Sequence, residues 1–240
     1  MKMINKYIIA FATALTVMAA TTSCSSDEPI SDSEKTYGTL STKSLSIDVS
    51  EIADAMSRNT GDVLMTVEIL QGNDTITKYA YENLPEVVRL PVGDYTIEVH
   101  SRNTLESAAF NAPYYKGIQN FTIRENLITE VDPVICRLIN TKVSIVIDDY
   151  LEQQTEGDWD VRIVADENGK SLDFRGHKLD ESENAPSAGY FLVTQGNTLT
   201  ATFTGTVSGN KIVMTKTVTV ENPGKEHHIF TFSIKTADGR

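Results

Sequence analysis

The chain has 240 residues, 40% of them hydrophobic, and carries 21 Lys plus Arg against 33 Asp plus Glu, a formal net charge of −12. A field of that sign repels nucleic acid and anionic membrane faces, so it argues against a polyanion as partner. The length exceeds what one small sandwich requires and predicts two domains of about 100 residues each, with enough apolar residues for packed cores.

Lys2 and Lys6 form a positive start, and Tyr7 to Ala20 is an apolar run too short and too rich in small residues for a stable membrane span. It reads as an export signal. The run ends in Thr21-Thr22-Ser23-Cys24, which resembles the lipobox of bacterial lipoproteins, where the cysteine is acylated and becomes the mature N-terminus. Residues 1–23 are therefore predicted to be a signal peptide and Cys24 the lipidation site. Several acyl chains on one cysteine hold a protein firmly, since each buried methylene contributes about 0.8 kcal/mol. Residues 24–36 are rich in Ser, Asp and Glu without apolar periodicity and are expected to be a disordered tether. Asp27-Glu28 resembles the surface-export signals of gut Gram-negative lipoproteins, which implies a lipid anchor in the outer membrane with the domains facing outside.

The first half, residues 37–137, opens at Tyr37-Gly38-Thr39-Leu40, and Leu45, Ile47 and Val49 then alternate with Ser44, Ser46 and Asp48 as in a strand with one buried face. Glu51 to Asp62 loses that alternation and reads as a short helical turn or a loop. Val63 to Leu70 and Thr75 to Tyr81 form a predicted hairpin about Gly72-Asn73-Asp74. Leu84 to His100 reads as a second hairpin: Val87, Val88 and Leu90 form one strand, Pro91 stops it, Gly93-Asp94 turns, and Tyr95, Ile97 and Val99 alternate with Thr96, Glu98 and His100. Ser107 to Gly117 concentrates Phe110, Tyr114 and Tyr115 around Pro113 and reads as an aromatic loop. Phe121 to Ile123 and Ile128 to Leu138 close the half as strands.

The second half, residues 138–236, repeats the first. Val143, Ile145 and Ile147 answer Leu45, Ile47 and Val49; Val161 and Ile163 answer Val67 and Ile69; TVTVEN (Thr217 to Asn222) answers FTIREN (Phe121 to Asn126). Ile147 to Gln153 and Val49 to Ser57 are the candidate short helices, and Asn168-Gly169 is a candidate hairpin turn. Short strands with evenly spaced turn signals predict an all-β protein of two tandem transthyretin-like or Ig-like β-sandwiches.

The order YGTL, LPVGDYTIEV, FNAPYYKG and FTIREN resembles a domain family of unknown function found in gut-bacterial surface lipoproteins, and more distantly the fimbrillin-type pilus and adhesin proteins with paired transthyretin-like sandwiches. The resemblance covers nearly all of the chain after residue 36. It brings no catalytic residues, and it implies a structural or adhesive surface protein that is not an enzyme, with other surface proteins or glycans as partners besides membrane lipid. The alternative is a glycan-binding accessory protein of a polysaccharide-uptake system.

Tyr114, Tyr115 and Trp159 are the candidate ligand-stacking residues, against the reading that the tyrosines plug a sandwich end and the tryptophan packs in a core or domain interface. Asp148, Asp149, Asp158, Asp160, Asp166, Glu167, Asn168 and Asp173 lack the spacing of a calcium loop and read as turn residues. His227 and His228 fall on opposite faces of a strand, so no metal site and no cofactor is predicted. Cys136, in an apolar run, reads as a buried thiol. Arg58 sits in a polar loop between the first and second strands and, by the fimbrillin resemblance, is a candidate for proteolytic processing that frees a groove for strand addition.

Overall fold

The computed structural model describes residues 36–50, 64–101, 104–176 and 188–235. In the first half the strands are β1 (Tyr37–Ser41), β2 (Ile47–Ser50), β3 (Met65–Gln71), β4 (Asp74–Ala80), β5 (Val87–Pro91), β6 (Gly93–Ser101), β7 (Ala108–Phe110), β8 (Tyr115–Ile123), β9 (Ile128–Glu130) and β10 (Val134–Leu138). They form a three-stranded sheet, β5-β1-β9, and a six-stranded sheet, β2-β10-β8-β6-β3-β4, with β7 in neither. Between the sheets lies a core to which Leu40, Val88 and Leu90 contribute from one side and Val67, Ile69, Tyr95, Ile97, Val99, Ile123 and Cys136 from the other. The alternation in β6 is the cause: Tyr95, Ile97 and Val99 are buried while Thr96, Glu98 and His100 lie on the opposite face.

The β3–β4 hairpin forms as expected, closing at Gln71 opposite Asp74. Leu84 to His100 does not form a hairpin. β5 pairs antiparallel with β1, whereas β6 lies between β3 and β8 in the other sheet. Val92 therefore carries the chain across the sandwich, and Gly93 is already the first residue of β6. Period-two alternation says which face of a strand is buried and leaves open which strand lies beside it.

The second half contains β11 (Thr141–Ile147), α1 (Asp149–Gln154), β12 (Trp159–Ala165), β13 (Ser171–Gly176), β14 (Gly189–Phe191), β15 (Thr198–Val207), β16 (Asn210–Thr219) and β17 (His227–Phe232). These build two four-stranded sheets, β17-β11-β14-β7 and β13-β12-β15-β16. Phe174, Phe191, Phe203, Phe230 and Phe232 are all buried between them. α1 falls where a short helix was expected, capped by the Asp148 carboxylate, which accepts the Tyr150 N–H at 3.0 Å. The other candidate helix falls largely outside the described residues.

The two halves share one topology. The order β5-β1-β9 recurs as β14-β11-β17, each with its middle strand antiparallel to the first and parallel to the last, and β4-β3-β6-β8 recurs as β13-β12-β15-β16. Val67 and Ile69 face Val99 and Ile97 as Val161 and Ile163 face Phe203 and Ala201. The counterpart of β11 is β1, however, not Leu45 to Val49. The closing motifs are also slipped: Phe121 opposes Tyr95 as Val218 opposes Leu199, so Phe121 answers Val218 rather than Thr217. A slip of one residue exchanges the two faces, which is why Thr217 is exposed where Phe121 is half-buried.

Ser107 to Gly117 is where the halves are joined. β7 arises between β6 and β8 but pairs with β14, Phe110 opposite Gly189 and Ala108 opposite Phe191. The pairing is extended when Asn111 N–H donates to Ala188 O and Leu192 N–H to Ser107 O, at 3.0 and 2.9 Å. Phe110 sits edge-on to Phe174, with ring centroids 4.9 Å apart. Asn140, 3% exposed, locks the return: its amide donates to Ala112 O at 2.9 Å and accepts the Tyr114 N–H at 3.1 Å. A strand of three residues is too short to show periodicity in the sequence, so this segment read as a loop.

Trp159 lies in the second core, 8% exposed and stacked on Phe203 at 6.3 Å. Its indole covers Gly176, where an added Cβ would fall 2.0 Å from the ring. Gly176→Ala must displace the indole and is expected to cost about 1–3 kcal/mol, the usual range for overpacking. Urea unfolding followed by fluorescence of this sole tryptophan measures it; an unchanged midpoint would show that the ring moves freely.

Candidate functional site

The outer face of the six-stranded sheet is built from the residues that alternate with the core. β6 supplies Asp94, Thr96, Glu98 and His100, and β8 places Thr122, Asn120, Ile118 and Lys116 opposite them in that order. β3 adds Glu68 opposite Glu98, and β4 adds Lys78 opposite Glu68.

One end of this face is charged. Lys78 Nζ lies 2.7 Å from Glu68 Oε1, His100 Nε2 lies 3.3 Å from the same oxygen, and Lys116 Nζ lies 2.7 Å from Glu98 Oε1. The Thr75 hydroxyl donates to Glu68 Oε2 at 3.2 Å. The Lys78 hydrogen bond, with help from His100 and Thr75, holds the Glu68 carboxyl below the usual range although partial burial opposes it. His100 Nδ1 lies 2.7 Å from Ser101 O, and the imidazole stacks on Tyr114 with centroids 6.0 Å apart. Burial pushes the Tyr114 phenol upward. At the other end Asp94 is the only charged residue in the pairs Asp94–Thr122 and Thr96–Asn120. There the Thr96 hydroxyl donates to Asn120 Oδ1 at 2.9 Å and the Thr122 hydroxyl to Asp94 Oδ1 at 2.7 Å, beside a concavity of ≈ 400 Å³ lined by these four residues with Gly72, Tyr95 and Phe121.

Of the three candidate stacking residues, Tyr114 alone reaches this face. It is half-buried, with His100 covering one side of its ring. Tyr115, 6% exposed, points into the first core because it is the next residue of an extended chain, and its N–H donates to Ser101 Oγ at 2.9 Å. Trp159 belongs to the second core, so neither of these two rings is offered to a ligand. Tyr190, half-buried, packs from β14 against the first core and serves the junction. Cys24 and Arg58 lie outside the described residues. His100 and Glu68 were not singled out from the sequence; the only signal was their position on the polar face of two strands whose pairing the sequence did not reveal.

The acidic residues of the second half divide. Asp160 lies in β12, Asp173 in β13, where it pairs with Arg162 at 3.2 Å, and Asp149 in α1, so these three are not turn residues, whereas others bind near turns and caps. Asp166 accepts the hydroxyls of Thr198 and Thr200, Glu167 accepts the N–H and hydroxyl of Thr194, and Asp148 caps α1. Among the described residues no three His, Cys, Asp or Glu side chains gather as metal ligands. His227 and His228 engage different partners, Ser144 Oγ at 2.8 Å and Glu226 at 3.1 Å. Cys136 is buried, and burial pushes its thiol up to about 11, far from the range of a reactive thiolate.

The fold defines the class: an all-β protein of two sandwiches related by internal duplication. The chain belongs to the family described as a domain of unknown function (DUF4493), whose model matches residues 36–239. Comparison with curated proteins gives no match. Among solved structures, the chain is similar to a "putative adhesin" from Bacteroides ovatus, at 11% identity over 85% of this chain and 90% of that one, with a TM-score of 0.46. It is also similar to a "putative cell adhesion protein" from Bacteroides thetaiotaomicron, at 14% identity over 82% and 95% of the two chains, TM-score 0.40. A third similarity is to "putative polysaccharide binding proteins" from the same organism, at 12% identity over 73% and 78%, TM-score 0.40. Similarities at this level transfer neither ligand nor partner.

Because the Glu68 carboxyl is held below its ordinary value of 4.5, its contribution to stability is present above that value and is lost as pH falls through the lowered one. Glu68→Gln is expected to lower the unfolding midpoint at pH 7 and to lower it much less at pH 3. Equal losses at both pH values would show that the Glu68–Lys78–His100 cluster does not act through charge.

Proposed function

We propose that the protein is a lipid-anchored component of the outer membrane, displayed to the outside, whose two sandwiches serve a structural or adhesive role without catalysis. One observation carries the reading. The outer face of β3, β6 and β8 is a broad sheet surface whose polar side chains hold one another in place, and it stands on the first core, which β7 ties to the second by adding a strand there. Such a surface suits recognition of a partner by many modest contacts, because its side chains are ordered before the partner arrives. Residues 37–137 and 138–236 form the two sandwich domains in this reading, and residues 24–36 the tether that carries them off the membrane. The partners are membrane lipid through Cys24 and other surface proteins or glycans.

The second reading, a glycan-binding accessory protein of a polysaccharide-uptake system, is favoured by the half-buried Tyr114 and the polar concavity on the same face. Retention of cells carrying the protein on immobilised polysaccharide, against retention on other cells, separates the two. Retention on neither surface would overturn both.

Anchoring rests on Lys2, Lys6, the apolar run and the small residues before Cys24. Cys24→Ala is expected to move the protein from the detergent phase to the aqueous phase on phase partitioning, and unchanged partitioning would remove the lipid anchor from the reading. Processing after Arg58 would separate the tether, β1 and β2 from the remainder. N-terminal sequencing of protein shaved from intact cells is expected to find chains beginning at Asn59; if every chain begins at Cys24 or within the tether, processing by this route does not occur.

A further inference from the structure

The concavity on the outer face of the six-stranded sheet has the makings of a specific site. It is a shallow hollow of ≈ 400 Å³, open to solvent. Its polar groups come from two rungs of the β6–β8 ladder, Asp94 opposite Thr122 and Thr96 opposite Asn120. Each rung is closed by a hydrogen bond that fixes an orientation. The Thr96 hydroxyl takes Asn120 Oδ1, which turns the amide so that Nδ2, with its two N–H donors, points away from Thr96. The Thr122 hydroxyl takes Asp94 Oδ1, which leaves Oδ2 as a carboxylate acceptor. An amide donor and a carboxylate acceptor thus stand diagonally across the β6–β8 ladder, at positions roughly 7–8 Å apart. Tyr95 and Phe121, the pair between these two rungs, turn their stacked rings to the core side, so the side chains that the hollow offers are the polar four.

This set matches a molecule that offers several hydroxyl groups, each both donor and acceptor, on a compact ring. An anionic ligand fits less well. Asp94 is the only ionisable carboxylate among the lining residues and no Lys or Arg joins it, so an anion meets repulsion from the site and from a chain of net charge −12. We infer that the hollow formed by Asp94, Thr96, Asn120 and Thr122 binds a neutral saccharide, one or two sugar rings of a larger glycan, through the Asp94 carboxylate and the Asn120 amide. The inference deepens the glycan reading given above, and it separates that reading from Tyr114, which lies at the charged end of the face.

The test uses the full chain in a sugar-free detergent, titrated with neutral oligosaccharides derived from glucan, mannan and galactan and, as a charged comparison, with oligogalacturonate. The readout is the side-chain amide resonance pair of Asn120, assigned by its loss in Asn120→Ala. A saturable shift of that pair with at least one neutral oligosaccharide, and not with oligogalacturonate, is expected. Asp94→Ala and Asn120→Ala are each expected to weaken binding by roughly 10-fold or more, as for a hydrogen bond to a charged or fixed polar group, with unfolding midpoints close to the parent's. The inference is overturned if the Asn120 amide stays unmoved by every neutral oligosaccharide, or if Asp94→Ala binds as tightly as the parent while remaining folded. Retention of cells on polysaccharide together with an unmoved Asn120 amide would place the glycan site elsewhere and leave the adhesive reading standing. Failure of retention alone would strike that reading and not this site.

Discussion

β7 and the asparagine that fixes its return are the constraint on which the rest of the molecule depends. A sandwich pair joined only at β10 and β11 would meet through a short linker, and such domains are free to move relative to each other unless the contact is large and apolar. Here the connection between β6 and β8 leaves its own sandwich, adds a strand to the neighbour's sheet, and comes back through Ala112 and Tyr114, both held by Asn140. Phe110 and Tyr190 cross in opposite senses, one into the second core and one onto the first. A buried amide with both ends bonded is costly to disturb, because breaking either bond leaves a polar group away from water. The described residues from Thr36 onward accordingly form one compact unit.

The same exchange positions the candidate surface. Tyr114 is the residue at which the chain re-enters the first sandwich, and it arrives over His100 because β8 must begin beside the end of β6. His100 in turn meets Glu68 only because β3 lies on the other flank of β6. A cluster drawn from three strands and one returning loop is thus a product of sheet order. At the far end of the face, the same β6–β8 ladder brings Asp94 to Thr122 and Thr96 to Asn120.

Duplication explains the shared framework and also what differs. β8 is covered at its outer side by β10 and then β2, while its counterpart β16 stands at the edge of its sheet. Exposed edges invite pairing with other chains, and an inward-pointing charge is one way to discourage it. Lys216 does this in β16, its ammonium 5.8 Å over the Phe232 ring on the inner side. β5 is an edge as well and carries Pro91, which lacks the N–H that a new strand would need. On the outer face of β15 and β16, Thr200 and Thr202 stand opposite Thr217 and Thr215, a hydroxyl surface where the first sandwich has ion pairs.

Local chemistry alone determined the all-β class, the buried faces of β3, β6 and β12, the β3–β4 hairpin, the short helix after β11 and the burial of Cys136, because each follows from alternation, turn residues or capping within a few neighbours. Whether β5 and β6 pair was decided by the tertiary structure, since both strands bury the same kind of face and only packing assigns them to opposite sheets. The one-residue slip between FTIREN and TVTVEN was decided there too, for a motif of mixed polar and apolar residues fits the pleat in either phase until a core claims one of them. Tyr114 and Tyr115 are adjacent tyrosines with nothing in their composition to tell them apart. An extended strand must place one inside and one outside, and the core that receives Tyr115 is assembled from strands distant in sequence, which leaves Tyr114 on the surface beside His100.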